Sequence, residues 1–264
     1  MESKQVLIER RDGVAKIIIN RPEKRNSISI AAVRELIDAF EELRGDNSIS
    51  VVLTTGAGDD AYCAGRDLTE FPTDFSKPES YDKRSEPRAY HLAEVIRNYP
   101  KVTIAVVNGY CLGGGITLLL PHDLAIASEE KAKFGLPEIM RGFLAYPILA
   151  TMFKTYIPTK LGFEMILTGK NWDAKRAMEV GLINRVVPHA QLQEAAWEWG
   201  AEISRWDRIT LAYCKMAVHA AMEAPSVPLA AEIVWLMQNE HNAVNPKSHE
   251  GMVDFLAKRG PKAL

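Results

Sequence analysis

The sequence lacks most of the features that mark secreted, membrane-spanning or metal-built proteins. Only three cysteines occur in 264 residues, Cys63, Cys111 and Cys214, and no two share the close spacing of a thiol or metal motif. So sparse and odd a set excludes a disulfide framework and predicts reduced thiols in a reducing compartment. No run approaches the roughly 20 apolar residues that a bilayer crossing requires. The first ten residues lack the apolar stretch of a signal peptide and are too acidic and strand-like for a transit peptide, so a cytoplasmic protein is expected. The six histidines show no His-Glu-x-x-His spacing, and no metal is predicted. Charge of one sign is missing too. A formal net charge of −2 and a pI near 6.3 argue against nucleic acid or an anionic membrane as partner.

What is present is an ordinary globular composition, 47% hydrophobic and 25% charged, enough for one large core. Two β-branched runs, 6–8 and 14–19, flank Arg11-Asp12-Gly13 and predict a hairpin. A polar, proline-bearing loop from Asn20 to Asn26 follows. From Ser29 the residues Ile30, Val33, Ile37, Phe40 and Leu43 recur at helical spacing and stop near Gly45. Strands are expected at 51–55, 102–107, 124–127 and 184–187, with helices at about 88–98 and around 116–120. The stretch from Pro72 to Pro87 reads as a polar surface loop. Strands and helices mixed at this pace imply an α/β class with a parallel or mixed sheet. Beyond about residue 190 the pattern is helical, with Trp197, Trp199, Trp206 and Trp235 as apolar bulk. The chain therefore divides into an α/β core over 1–190 and a helical portion over 191–264.

Two glycine-bearing loops follow strands: Ala61-Tyr62-Cys63-Ala64-Gly65-Arg66-Asp67-Leu68, and Asn108-Gly109-Tyr110-Cys111-Leu112-Gly113-Gly114-Gly115. Glycine lets backbone approach a ligand closely, and unpaired N–H groups converging on one point would form an oxyanion hole. Either loop taken alone reads equally well as a plain turn. Neither is a phosphate loop or a dinucleotide fingerprint, because the Lys-Ser/Thr and the Gly-x-Gly-x-x-Gly spacing are absent. Glu138, in Phe134-Gly135-Leu136-Pro137-Glu138-Ile139, is the candidate for a partly buried carboxyl with a raised pKa; the plainer alternative is a solvated loop glutamate. Cys63 and Cys111 have no histidine placed to activate them and read as packing. Asp123 reads as a structural hydrogen-bonding residue, with His122 its neighbour.

The two glycine loops, Pro137-Glu138-Ile139 and their order resemble the enoyl-CoA hydratase/isomerase (crotonase) superfamily. Asn20-Arg21-Pro22 through Asn26, Leu167-Thr168-Gly169, Ala174, Ala177, Gly181-Leu182, Glu250-Gly251 and Phe255-Leu256-Ala257-Lys258-Arg259 extend the likeness from about residue 6 to 260. The resemblance implies a crotonase-like spiral of β-β-α units followed by helices that help an oligomer form, as a homotrimer or homohexamer. It implies an acyl-CoA substrate and no further cofactor. By the same resemblance the backbone N–H groups of Arg66 and Gly114 form the oxyanion hole, and Glu138 is an acid/base. The resemblance also places Lys24, Arg25, Ala64, Asp67, Leu68, Tyr146 and Lys258 along the CoA or substrate site. Phe71, Phe143, Tyr146 and Trp235 are candidates for an acyl pocket.

Two departures stand out. Hydratases of the family usually carry a second Glu two residues past the triple glycine, where this chain has Thr117. A hydroxyl orients a water or a substrate group but does not shuttle protons near neutral pH as a carboxyl does. The usual Pro-Gly-Ala-Gly-Gly is replaced by Phe143-Leu144-Ala145-Tyr146-Pro147. The expected activity is thus enolate chemistry with a single glutamate, in an enzyme of the enoyl-CoA hydratase/isomerase type, with a hydroxycinnamoyl-CoA-type hydratase-lyase as an alternative. The further alternatives are a hydroxyacyl-CoA hydrolase and a non-catalytic CoA-binding protein.

Overall fold

The computed structural model describes residues 4–70, 89–145 and 157–257; the expected loop from Pro72 to Pro87 lies outside the described residues. Strands β1 (Val6–Arg11) and β2 (Val14–Ile19) pair antiparallel through Asp12 and Gly13. Both turn residues have positive φ, 49° and 80°, as a two-residue hairpin turn matched to strand twist demands. Helix α1 (Ile30–Gly45) starts at Ser29, whose hydroxyl accepts the Ala32 N–H, a cap worth about 1 kcal/mol. It is followed by β3 (Val51–Gly56), β4 (Ala61–Cys63), α2 (Ala89–Arg97), β5 (Val102–Val107), β6 (Tyr110–Leu112) and α3 (Gly114–Leu119). Then come β7 (Leu124–Ser128), β8 (Lys133–Gly135), α4 (Thr159–Thr168), β9 (Trp172–Asp173), α5 (Ala174–Glu179) and β10 (Arg185–Val187). Four helices close the described chain: α6 (Leu192–Ser204), α7 (Arg208–Glu223), α8 (Val227–Val244) and α9 (Pro246–Ala257).

Two sheets result. The larger has the order β1-β2-β3-β5-β7-β10 and is parallel from β2 onward; the smaller has the order β4-β6-β8-β9. Each pass of the chain adds one strand to each sheet, β3 with β4, β5 with β6, β7 with β8, which makes a crotonase-type spiral of β-β-α units. In the large sheet Val14, Val51, Leu53, Ile104 and Val106 pack on Leu192, Ala196, Trp197 and Trp199 of α6. The opposite face, with Ile17, Ile19, Val52, Ala105 and Val107, packs on α1 and α2 through Val33, Leu36, Phe40, Leu92 and Ile96. Coverage on both faces is why β3 and β5 read as unbroken apolar runs and not as alternating ones.

Two readings of the sequence need correction. The second sheet went unseen, because strands of two or three residues are too short to leave a period. Trp197 and Trp199 are core, but Trp206 and Trp235 are 68% and 63% exposed. Helical spacing does not say which side of a helix has a neighbour.

Candidate active site

The two glycine loops leave β4 and β6, neighbours in the small sheet, with Cys63 opposite Cys111. Both thiols are fully buried, and burial pushes Cys63 up to about 12, so they pack and do not react. Past the cysteines the loops come together. A Cβ built on Gly65 (φ 105°) would lie 3.3 Å from the Gly114 nitrogen, and one on Gly114 would lie 3.2 Å from the Arg66 nitrogen. The amides of Arg66 and Gly114 thus occupy one small region, where the positive φ of Gly65 and the tight contacts at both positions favour glycine.

Side-chain amides hold this arrangement from below. Asn108 donates through Nδ2 to Gly56 O (2.9 Å) and Gly58 O (2.7 Å), tying the second loop to the end of β3. Asn26, in a left-handed conformation at φ 54°, donates to Ala57 O (2.9 Å) and Ala61 O (2.7 Å). Backbone bonds from Ala64 N to Arg25 O (3.0 Å) and from Ile28 N to Gly65 O (2.7 Å) attach the early polar loop to the first glycine loop. Asparagine tolerates positive φ and offers both donor and acceptor, so it suits such brackets.

Glu138 sits in a 3-10 turn, Pro137–Arg141, that Pro137 opens and Gly142 (φ 72°) closes. Gly169 ends α4 at φ 61° with the side chains of Ile139 and Met140 against it, so the Leu167-Thr168-Gly169 segment seats the turn. The Glu138 carboxyl reaches Gly113: its Oε1 would be 2.7 Å from a Cβ there. Half-buried, the carboxyl has its pKa raised by desolvation, against which a bond from its own backbone N–H and, less, the charge of Arg141 act. Thr117, one helical turn after Gly113 on the same face of α3, is 2% exposed. Thr117 Oγ1 and Glu138 Oε2 are both buried without a hydrogen-bond partner among the described residues. Leaving such groups unpaired costs about 1–3 kcal/mol each, a cost expected where a ligand completes them.

The other expected site residues divide. Asp67 is 6% exposed and engaged inside the protein, with Oδ2 at 2.8 Å from Arg21 Nη2 and Oδ1 accepting from Thr69 N and Oγ1. Burial alone would raise its pKa, but the bonds from Thr69 and Arg21 outweigh that and hold it at about 2. Its side chain therefore fastens the loop. Ala64 is half-buried, and Leu68, Lys24 and Arg25 are exposed around the same loops, with the Arg25 guanidinium 6.0 Å from the Tyr110 ring centroid. Arg66 is exposed as well. Phe143 follows the acidic turn, its N–H bonded to Glu138 O at 3.0 Å. Trp235 stands exposed on α8. Phe71, Tyr146 and Lys258 lie outside the described residues. Asp123 does accept from Thr103 N and Oγ1 and pairs with Lys215 Nζ at 2.9 Å. In the sequence Arg21, Asn26 and Asn108 stand only as members of the quoted loops, with no bracing role assigned; Asn108 beside Gly109 was the one local signal, and the loop of Arg21 and Asn26 holds no glycine.

The chain is similar to known proteins over nearly its whole length. The model of the family described as enoyl-CoA hydratase/isomerase matches residues 9–263. A hydroxycinnamoyl-CoA hydratase-lyase from Pseudomonas fluorescens is 37% identical over 214 residues, covering 80% of this chain and 77% of that one. A mevalonyl-coenzyme A hydratase from Aspergillus fumigatus is 32% identical over 246 residues, 93% of this chain and 89% of that one. Among solved structures, an enoyl-CoA hydratase from Mycobacterium smegmatis superposes with a TM-score of 0.88 at 29% identity, covering 98% of this chain and 99% of the other.

Proposed function

The chain belongs to the enoyl-CoA hydratase/isomerase family, and from that premise we propose that it adds water to, or removes it from, an acyl-CoA through a thioester enolate with Glu138 as the single acid/base. The observation that carries this reading is the meeting of three groups. The Arg66 and Gly114 amides share one region, and the raised-pKa carboxyl of Glu138 lies against Gly113 beside them. In the dehydration direction Glu138 takes the α-hydrogen of a 3-hydroxyacyl thioester. The negative charge moves to the thioester oxygen, where two N–H donors receive it; each such donor is worth roughly 3–4 kcal/mol of barrier. The β-hydroxyl then leaves as water, with Glu138 returning the proton and Thr117 Oγ1 hydrogen-bonding the departing oxygen. Only the carboxyl moves protons in this scheme.

The relatives at 32–37% identity are named as a hydratase-lyase and a hydratase, which favours this reaction over isomerisation or thioester hydrolysis. The exposed turn residues Lys24 and Arg25 are proposed to meet the phosphates of CoA, and no cofactor beyond that CoA is proposed. Exposed Met216, Val218 and Met222 on α7 and Val227, Trp235 and Leu236 on α8 support a homo-oligomer, proposed as a trimer or hexamer in the cytoplasm.

The test is turnover of a panel of crotonyl-, 3-enoyl-, 3-hydroxybutyryl- and feruloyl-CoA. Hydration or dehydration with solvent deuterium entering the α-carbon is expected. Carbon–carbon cleavage to an aldehyde and a shorter acyl-CoA would identify the lyase variant. Release of free CoA from a saturated hydroxyacyl-CoA without α-deuterium would refute the enolate reading in favour of a hydrolase.

A further inference from the structure

Beneath the two glycine loops, a line of hydrogen bonds crosses the core without touching the site. His122 closes the end of α3, with Nδ1 at 2.8 Å from Leu118 O. A carbonyl only accepts, so Nδ1 carries the hydrogen. Burial drives the His122 pKa down to about 3, and the ring is neutral at working pH. Nε2 is therefore an acceptor, and Thr54 Oγ1, 2.9 Å away on β3, donates to it. With its one hydrogen used, the Thr54 oxygen accepts from Tyr62 Oη at 2.8 Å. Tyr62 lies on β4, four residues before Arg66, and is fully buried; Thr54 is 1% and His122 7% exposed. The direction of every bond is thus fixed, from the phenol through the hydroxyl and imidazole to the end of the helix that Gly114 begins.

Leucine, valine and phenylalanine would fill these three positions without polar atoms. A buried polar chain adds no stability over such packing, but it specifies distance and direction. The backbone ladder does not supply that here, because the pairing of β4 with β6 shifts register between Ala61 and Cys63. We propose that His122, acting through Thr54 and Tyr62, is a positioning residue that sets the separation of the Arg66 and Gly114 N–H groups. The inference rests on the oxyanion-hole reading above.

The test uses exchange of the α-hydrogens of butyryl-CoA with solvent deuterium, read by proton NMR, because it reports enolate formation whatever the natural acyl group. Thr54→Val and Tyr62→Phe keep the side-chain shapes and cut the line. Each is expected to lower the saturated exchange rate by about ten- to hundredfold, since small displacements of catalytic donors cost this much. KM should change by less than about twofold, as expected when a transition-state interaction alone is lost. Thr54→Ser should restore exchange, and the double variant should be no worse than the weaker single one, because both cut the same line. In protein labelled with 15N-histidine, the His122 ring should show a protonated Nδ1 and a bare Nε2. Full exchange in T54V, alongside its loss in E138Q, overturns the relay and leaves the site reading intact; so does the opposite His122 tautomer. Exchange that is absent in the parent, or untouched in E138Q, overturns both.

Discussion

Two stretches of chain meet at Gly65 and Gly114, and they treat their polar atoms differently. In the loop from Ala64 to Leu68 the Asp67 carboxyl is engaged by Arg21 and Thr69, and the backbone is tied to Arg25 and Ile28. Across from it, among Gly113, Thr117 and Glu138, a hydroxyl and a carboxylate oxygen are buried with no partner among the described residues. The two carboxyls move in opposite directions from similar starting values, Asp67 down to about 2 and Glu138 upward. Burial acts on both; what differs is the supply of donors. A carboxyl surrounded by donors holds structure, and one with few, and with one oxygen unpartnered, remains available to move a proton.

Replacing the available carboxyl should do the most damage. Glu138→Gln keeps the shape and removes the proton carrier, so turnover is expected to fall about 10³-fold, within the usual range for a general acid/base. Because burial raises the Glu138 pKa, the acid limb of kcat/KM in the parent should lie above that of a solvated glutamate. Full activity in the glutamine variant would remove the contrast between the two carboxyls. Gly113→Ala comes next. The new Cβ would stand 2.7 Å from Glu138 Oε1, and φ at Gly113 is 52°, so the residue is strained and the carboxyl must swing away. Backbone strain of this kind costs about 1–3 kcal/mol, while the displaced carboxyl should lower kcat about 100-fold. A folded G113A protein with parental kcat would show that the carboxyl tolerates displacement.

The contrast was only half readable beforehand. Glu138 announced itself through Pro137 and the apolar residues around it, and β3 and β5 through unbroken runs that only a doubly covered strand shows. Thr117 drew notice from its place two residues past the glycines. The order that satisfies Asp67 was hidden, because Arg21 and Asp67 are 46 residues apart and Asn26 and Ala61 are 35 apart. His122 and Thr54 are 68 apart, so His122 read only as a neighbour of Asp123. Short strands such as β9, two residues long, leave no period at all. Local chemistry is legible in a sequence; partnerships made by the topology are not.

Thr117→Val probes the unpartnered side more gently. Valine fills the same space without the hydroxyl, so a hydrogen bond to the reacting oxygen of about 1 kcal/mol is lost and kcat should fall about 5- to 10-fold. Stability should move the other way, by about +1 kcal/mol, because a buried hydroxyl without a partner has been removed. Urea unfolding together with steady-state kinetics reads both changes. Unchanged kcat with raised stability would make Thr117 a packing residue.

Asp67→Asn tests the satisfied side, and its effect on turnover should be the smallest of the four. Its cost appears in stability instead. The folded pKa of about 2 lies below the ordinary value of 3.8, so the ionised group stabilises the fold above the unfolded value. That contribution fades as the pH falls from about 4 toward 2, and by linkage it amounts to about 2 kcal/mol at neutral pH. Asparagine still accepts from Thr69, but it leaves the Arg21 guanidinium, only 13% exposed, without its anion. Chemical denaturation at pH 7 should show the loss, and the parent's advantage over D67N should shrink steadily between pH 4 and 2. An advantage that stayed constant over that interval would mean that the carboxylate's charge does not hold this loop, and the contrast with Glu138 would then rest on burial alone.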